Sequence, residues 1–188
     1  MKNFNYAVLA TMFFCLNLVG QNHDPLTLEP TSSEISILGS SNLHDWQSDG
    51  NDANAKLTFK NLKDYSIEEL EVSIPVAQIK SGENLMDAIT YKALKSDKYP
   101  EITFIFRKCK IISENKNQLI LKLFGKLSIA GVTKDISLLT RLDRSSPKIT
   151  LKGNYELKMS DYNIKPPTAF FNTIKTSDDI TVCFDLSF

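Results

Sequence analysis

Apolar and polar residues alternate along most of this chain, and most regularly between Leu119 and Leu142. Leu119, Leu121, Leu123, Leu127 and Ile129 share one parity with Gly125, whereas Lys122, Lys126 and Ser128 fall on the other. Successive strand side chains point to opposite faces, so this period of two predicts a strand with one apolar and one wet face. After Ala130 and Gly131 the alternation resumes through Val132, Lys134, Ile136, Leu138, Thr140 and Leu142. Glycine takes positive φ at no steric cost, so Gly131 reads as the turn of an antiparallel hairpin. A hairpin alone is marginal in water and needs more sheet against its apolar face.

Other segments supply that sheet. Ile35 and Ile37 open a first strand, predicted to kink near Gly39 and continue to Trp46. A turn at Asp49–Asp52 leads into Ala53, Ala55, Leu57 and Phe59, and Leu70, Val72, Ile74 and Val76 repeat the pattern, with Pro75 marking a strand end or an edge. Between Ser81 and Lys95 the period changes: Leu85, Ala88, Ile89, Lys92 and Ala93 fall at helical spacing behind a capping Ser81, predicting one short helix that closes an end of the sheet. Ile102, Phe104 and Phe106 start a strand reaching Ile112, Ile149 to Leu157 alternate strictly, and Ile180 to Phe188 alternate to the C-terminus. The stretch from Ser160 to Asn172 is irregular and carries Pro166–Pro167, which cannot join a central ladder. The expectation is an all-β, antiparallel fold of about eight strands with one helix, either a barrel or a two-sheet sandwich. A barrel is preferred because closure leaves no exposed edge.

The chain has 188 residues without an internal repeat or a long polar linker, which predicts one domain over residues 21–188. Formal net charge is zero, and no lysine or arginine stripe stands out along the chain from the interspersed acids, which argues against a nucleic-acid partner. Lys2 precedes a nearly uncharged run from Phe4 to Gly20, too short for a stable membrane span. It reads as a signal peptide, residues 1–20, cut after Gly20, so a periplasmic or secreted protein is expected. A retained membrane anchor is the alternative. Lipidation at Cys15 is disfavoured, because bulky Phe14 stands where a small residue is wanted. Beyond the leader only Cys109 and Cys183 remain, and the sequence leaves open whether they pair.

Three segments together resemble the YceI-like family, also called polyisoprenoid-binding. They are Lys95-Ser96-Asp97-Lys98-Tyr99-Pro100-Glu101-Ile102-Thr103-Phe104, Gly125-Lys126-Leu127-Ser128-Ile129-Ala130-Gly131-Val132-Thr133-Lys134, and Lys158-Met159-Ser160-Asp161-Tyr162-Asn163-Ile164-Lys165-Pro166-Pro167-Thr168. Ser81-Gly82 fits as well, and Asn42-Leu43-His44-Asp45-Trp46 resembles the opening of one branch. The resemblance runs from about Ser33 to Phe188. It implies a lipocalin-like antiparallel β-barrel, exported to the periplasm, holding an isoprenoid chain in an apolar lumen. Asn163 and Asn172 stand where this branch would carry glycine. Asparagine is the next most tolerant of positive φ, so those turns are expected to persist.

Catalysis finds little support. His44-Asp45-Trp46 is the most enzyme-like cluster, but the only other histidine is His23, and adjacent strand residues face opposite ways, so the segment reads as structural with Trp46 filling a barrel end. No nucleophile elbow, zinc-binding helix or phosphate loop occurs, and neither cysteine has metal-ligand spacing. No enzymatic activity, metal or cofactor is expected beyond a bound lipid. The inward face is then the candidate site: Leu57, Phe59, Val72, Ile74, Phe104, Phe106, Leu121, Leu123, Ile136, Leu138, Tyr155 and Phe184, with Phe170 and Phe171 guarding an opening beyond the proline pair. A charge on that face, as in Leu121→Glu or Phe106→Glu, is expected to abolish lipid retention. The reading is an exported carrier of a hydrophobic isoprenoid, such as a quinone or polyprenyl lipid. The alternative is an envelope-stress or structural scaffold acting through a protein partner, with loops such as Asp161–Thr168 in contact. Oligomeric state stays open, a homodimer included.

Overall fold

Twelve antiparallel strands and one α-helix make up the computed structural model, which describes residues 25–29, 32–145, 147–169 and 173–188. The strands are β1 (Leu26–Thr27), β2 (Glu34–Ser41), β3 (Asp45–Gly50), β4 (Asn54–Asn61), β5 (Ser66–Pro75), β6 (Ile79–Lys80), β7 (Glu101–Glu114), β8 (Gln118–Ile129), β9 (Val132–Asp143), β10 (Thr150–Lys158), β11 (Thr168–Ala169) and β12 (Ile174–Ser187), and the helix α1 (Asn84–Leu94) follows β6. The proposed leader, residues 1–20, Asn172 and the Phe170–Phe171 pair lie outside the described residues.

One sheet holds eleven of the strands in the order β1-β4-β5-β7-β8-β9-β10-β12-β2-β3-β6, with β11 paired to β12 beside it. It curls around its apolar face as a half-barrel, so the sandwich alternative falls. The ladder ends at β1 and β6 instead of closing. The lead-in segment ties strands together across that gap, Leu28 N–H donating to the Ala55 carbonyl and Glu29 N–H to the Ser187 carbonyl.

The first strand of the sequence reading needs correction. It is not one kinked strand but a hairpin, β2 with β3, in which Gly39 faces Trp46. The reversal comes from Ser41, whose hydroxyl accepts the N–H groups of Leu43 and His44 and donates to the His44 carbonyl. Gly39 is glycine because the indole lies across it: a Cβ there would sit 2.2 Å from Trp46 Cζ2. The central hairpin follows the alternation. β8 and β9 pair from Leu119↔Leu142 to Ile129↔Val132, and Ala130 and Gly131 both take positive φ in the two-residue turn. The family-derived turn at Asn163 also holds, with φ of 55°.

Two apolar clusters divide the interior. At the end bearing the β4–β5, β7–β8 and β9–β10 turns, Leu57, Phe59, Phe106, Leu119, Leu121, Leu142 and Phe188 form a solid plug. Toward the opposite end, Ile129, Leu157, Met159, Tyr162 and Ile164 form a second cluster between the β8–β9 turn and the segment after β10. Cys109 and Cys183 are free thiols. Cys109 packs against the plug, where burial pushes its thiol pKa up, whereas Cys183 has the parity opposite to the cavity-lining Val182 and Phe184.

Candidate functional site: an apolar cavity under α1

A cavity of about 680 Å³ occupies the half of the molecule away from the plug, within the range of roughly 300–1,000 Å³ seen for small-molecule sites. Its wall is built by strand alternation. Every second residue of β5, β7, β8, β9, β10, β12 and β2 points inward, so Val72, Ile74, Phe104, Leu123, Ile136, Leu138, Tyr155 and Phe184 all line it. Gly125 lets Phe104 lie across the wall, since a Cβ there would meet the Phe104 ring at 2.5 Å.

Leu57, Phe59, Phe106 and Leu121 lie elsewhere. They share the inward parity but belong to the plug, 0 %, 2 %, 9 % and 2 % exposed. Parity fixes the face on which a residue sits and says nothing of its height along the strand. Phe170 and Phe171 fall outside the described residues. Ile37, Leu127, Ile180 and Val182 also line the cavity and were readable by the same parity. Met159, Ile164 and Pro167 line it from a segment without periodicity, where no sequence signal marked them.

The helix forms the roof. Met86, Ile89, Thr90, Ala93 and Leu94 face the cavity, whereas Ala88 and Lys92 are exposed, a stripe rotated from the one that the sequence suggested; Leu85, 62 % exposed, sits at the rim. The expected Ser81 cap is inverted. Asp87 in the first turn reaches back, its carboxylate accepting the Ser81 N–H at 2.8 Å and the Ser81 hydroxyl at 2.7 Å. Lys80 Nζ stands 3.8 Å from the same carboxylate and donates to the Tyr91 hydroxyl, which in turn donates to the Ala77 carbonyl at 2.9 Å. These bonds fasten the roof to β6.

The Ser81 N–H, then the Ser81 hydroxyl and Lys80, hold the Asp87 carboxyl below its usual range. A lowered acid pKa stabilises the fold above the unfolded value near ~4, and the contribution is lost as pH falls through the folded value. We expect Asp87→Ala to cost about 1–3 kcal/mol, because two donors lose their acceptor, and to speed hydrogen exchange selectively over residues 81–95. Unchanged exchange there would contradict the fastening role.

The other side of the mouth is made by the segment after β10. Ser160 donates from its N–H and its hydroxyl to Asp178, and Lys134 pairs with Asp161 at 2.8 Å while lying over the Tyr162 ring. Tyr162 is 1 % exposed and its hydroxyl has no partner among the described residues. Burial above all raises its phenol pKa well beyond the ordinary value. The unfolded chain therefore loses this proton first, near pH ~10, and stability falls as pH rises above it. Tyr162→Phe is expected to leave stability near pH 8 nearly unchanged and to flatten the decline above pH ~10, read from urea midpoints at the two pH values. An alkaline limb as steep as that of the parent would sink this assignment.

The mouth itself is polar. Ser41, His44, Asp45, Gln47, Ser81 and Glu83 border it, and Trp46 lies on its rim with Nε1–H donating to the Ser40 carbonyl. His44 Nδ1 lies 2.8 Å from the backbone oxygen of Asp45 and not from its carboxylate, so the two do not form an acid–base pair here. Deeper inside, Thr140 lines the wall at 1 % exposure with its hydroxyl unpartnered among the described residues, and burial pushes the Tyr155 phenol pKa up. No group of three or more metal-ligating side chains exists among the described residues. No described helix is long and apolar enough to cross a membrane. The arrangement can exclude water from an apolar body and leave a polar end at the mouth.

Comparison with known proteins agrees with this architecture. A family model described as the YceI-like domain matches residues 26–188. Among solved structures, BcnA of Burkholderia cenocepacia superposes with a TM-score of 0.72 at 17% identity, covering 86% of this chain and 99% of that one. A polyisoprenoid binding domain from Saccharophagus degradans gives 0.68 at 15% identity, covering 86% and 95%. The YCEI protein of Campylobacter jejuni gives 0.62 at 26% identity, covering 75% and 82%. A search of curated proteins found no match.

Proposed function

The chain belongs to the YceI-like family, and from that premise we propose that it binds and carries a single isoprenoid lipid, a quinone or a polyprenyl lipid, with the tail in the cavity and the head at the mouth. One observation carries the reading: an almost wholly apolar cavity of about 680 Å³, roofed by a fastened helix, in a fold that has a solid core elsewhere. An empty apolar space of that size costs stability, and each methylene that fills it returns roughly 0.8 kcal/mol. A solved relative described as a polyisoprenoid binding domain supports the ligand class. The protein acts by sequestering its ligand and catalyses nothing. Export completes the reading, supported by the uncharged run from Phe4 to Gly20 behind Lys2, and places the carrier in the periplasm or outside the cell.

Trp46 is the only tryptophan of the chain and stands at the mouth, so its fluorescence reports occupancy. Titrating the lipid-stripped protein with a long-tailed quinone should quench Trp46 to saturation at one equivalent. A tailless benzoquinone should quench only by collision, without saturating. Equal behaviour of the two would reject tail recognition.

A further inference from the structure

The outward face of the β7–β8–β9 hairpins carries a cluster of cations that no stretch of sequence displays. Lys110 stands opposite Lys122, Lys122 opposite Leu139, Lys108 opposite Phe124, and Arg141 opposite Ile120. None of the four basic residues forms an ion pair among the described residues, whereas the nearby Lys126 and Lys152 are paired with Asp135 and Asp185. Lys108 and Lys122 lie over the Phe124 ring, 5.3 and 5.6 Å from its centroid. Leu139, beside Lys122, is 57 % exposed.

Like charges placed directly across a ladder are destabilising, and here two such pairs, Lys110 opposite Lys122 and Arg141 opposite Lys152, persist in a chain whose net charge is zero. An anionic surface would convert that cost into attraction. We propose that this face docks the protein on an anionic lipid bilayer. Side chains on a sheet stand roughly perpendicular to it, so the four cations and Leu139 project together from one outward face. Cations that meet headgroup phosphates around an exposed leucine suit the boundary between headgroups and acyl chains. The surface lies outside the cavity and does not depend on what the cavity holds.

Vesicle flotation with the full chain tests the proposal. Binding to vesicles of phosphatidylcholine mixed with phosphatidylglycerol, no binding to phosphatidylcholine alone, and release at high salt are expected. The triple variant K110E/K122E/R141E should weaken binding by more than about a hundredfold, since each of the three basic residues near such a surface is worth about fivefold. The milder K110Q/K122Q should weaken it by about twenty-fivefold, and Leu139→Ser should weaken it at unchanged charge. Leu138→Glu, which alters the cavity alone, should dock as the parent does, so loss of lumen binding and loss of docking are separable. Equal binding to both vesicle types, undiminished binding by the triple variant, or capture by an acidic polypeptide with no vesicle binding would each overturn the assignment to a bilayer.

Discussion

Leu138→Glu is expected to give a folded protein that has lost its capacity for an apolar ligand. Leu138 is half-buried on the cavity wall, where an introduced carboxylate can keep water while the cavity is empty. A lipid tail must strip that water. Isolated charges taken into an apolar medium cost several kcal/mol even after relaxation, so affinity should fall by more than about a hundredfold. Thermal unfolding should stay cooperative, and the measurement is retention of a radiolabelled or fluorescent isoprenoid through gel filtration. The sites suggested by sequence alone, Leu121→Glu and Phe106→Glu, behave differently in this structure. Both side chains sit in the plug, where there is no water to keep, so those substitutions are expected to unfold the protein, and their loss of ligand would carry no information about the cavity. A folded Leu138→Glu variant that binds lipid as the parent does would remove the cavity from the account.

Leu57→Ala has the second large effect, on stability and not on binding. Leu57 is fully buried, and its β4 position pairs with Leu26 on one side and Leu70 on the other. Truncation leaves a cavity in the plug that neighbouring strands cannot collapse to fill, and comparable core truncations cost about 2–5 kcal/mol. The urea midpoint should drop accordingly at an unchanged slope, while ligand stoichiometry per folded molecule stays the same. A loss of stoichiometry would mean that plug and cavity are not separate bodies.

Separation of plug from cavity is also what the sequence did not display. Alternation assigned the inward face of β4, β5, β7, β8, β9, β10 and β12, because a one-residue error would turn every leucine into solvent. Yet Leu121 and Leu123 are two residues apart on one face, and only Leu123 reaches the cavity. Which of them does so depends on where strand ends meet across the sheet, and parity is blind to that. The β2–β3 reversal was hidden because its signal is a serine hydroxyl capping a turn of mostly polar residues, read instead as a kink at Gly39. The helix was legible, but its facing stripe was not, since Leu85 is apolar and exposed while Thr90 is polar and lines the cavity. The segment from Met159 to Pro167 builds part of the mouth from residues with no period at all. The basic face was invisible for a different reason: its residues lie on three strands and meet only through register.

Solvent extraction and mass spectrometry of the protein purified from its native source without detergent is the measurement that bears most directly on the central claim. The expected result is one isoprenoid species, near one equivalent per chain in the parent and absent from the folded Leu138→Glu variant. A clean extract from the parent, or the same lipid at equal yield from both proteins, would contradict the claim that this cavity carries a lipid.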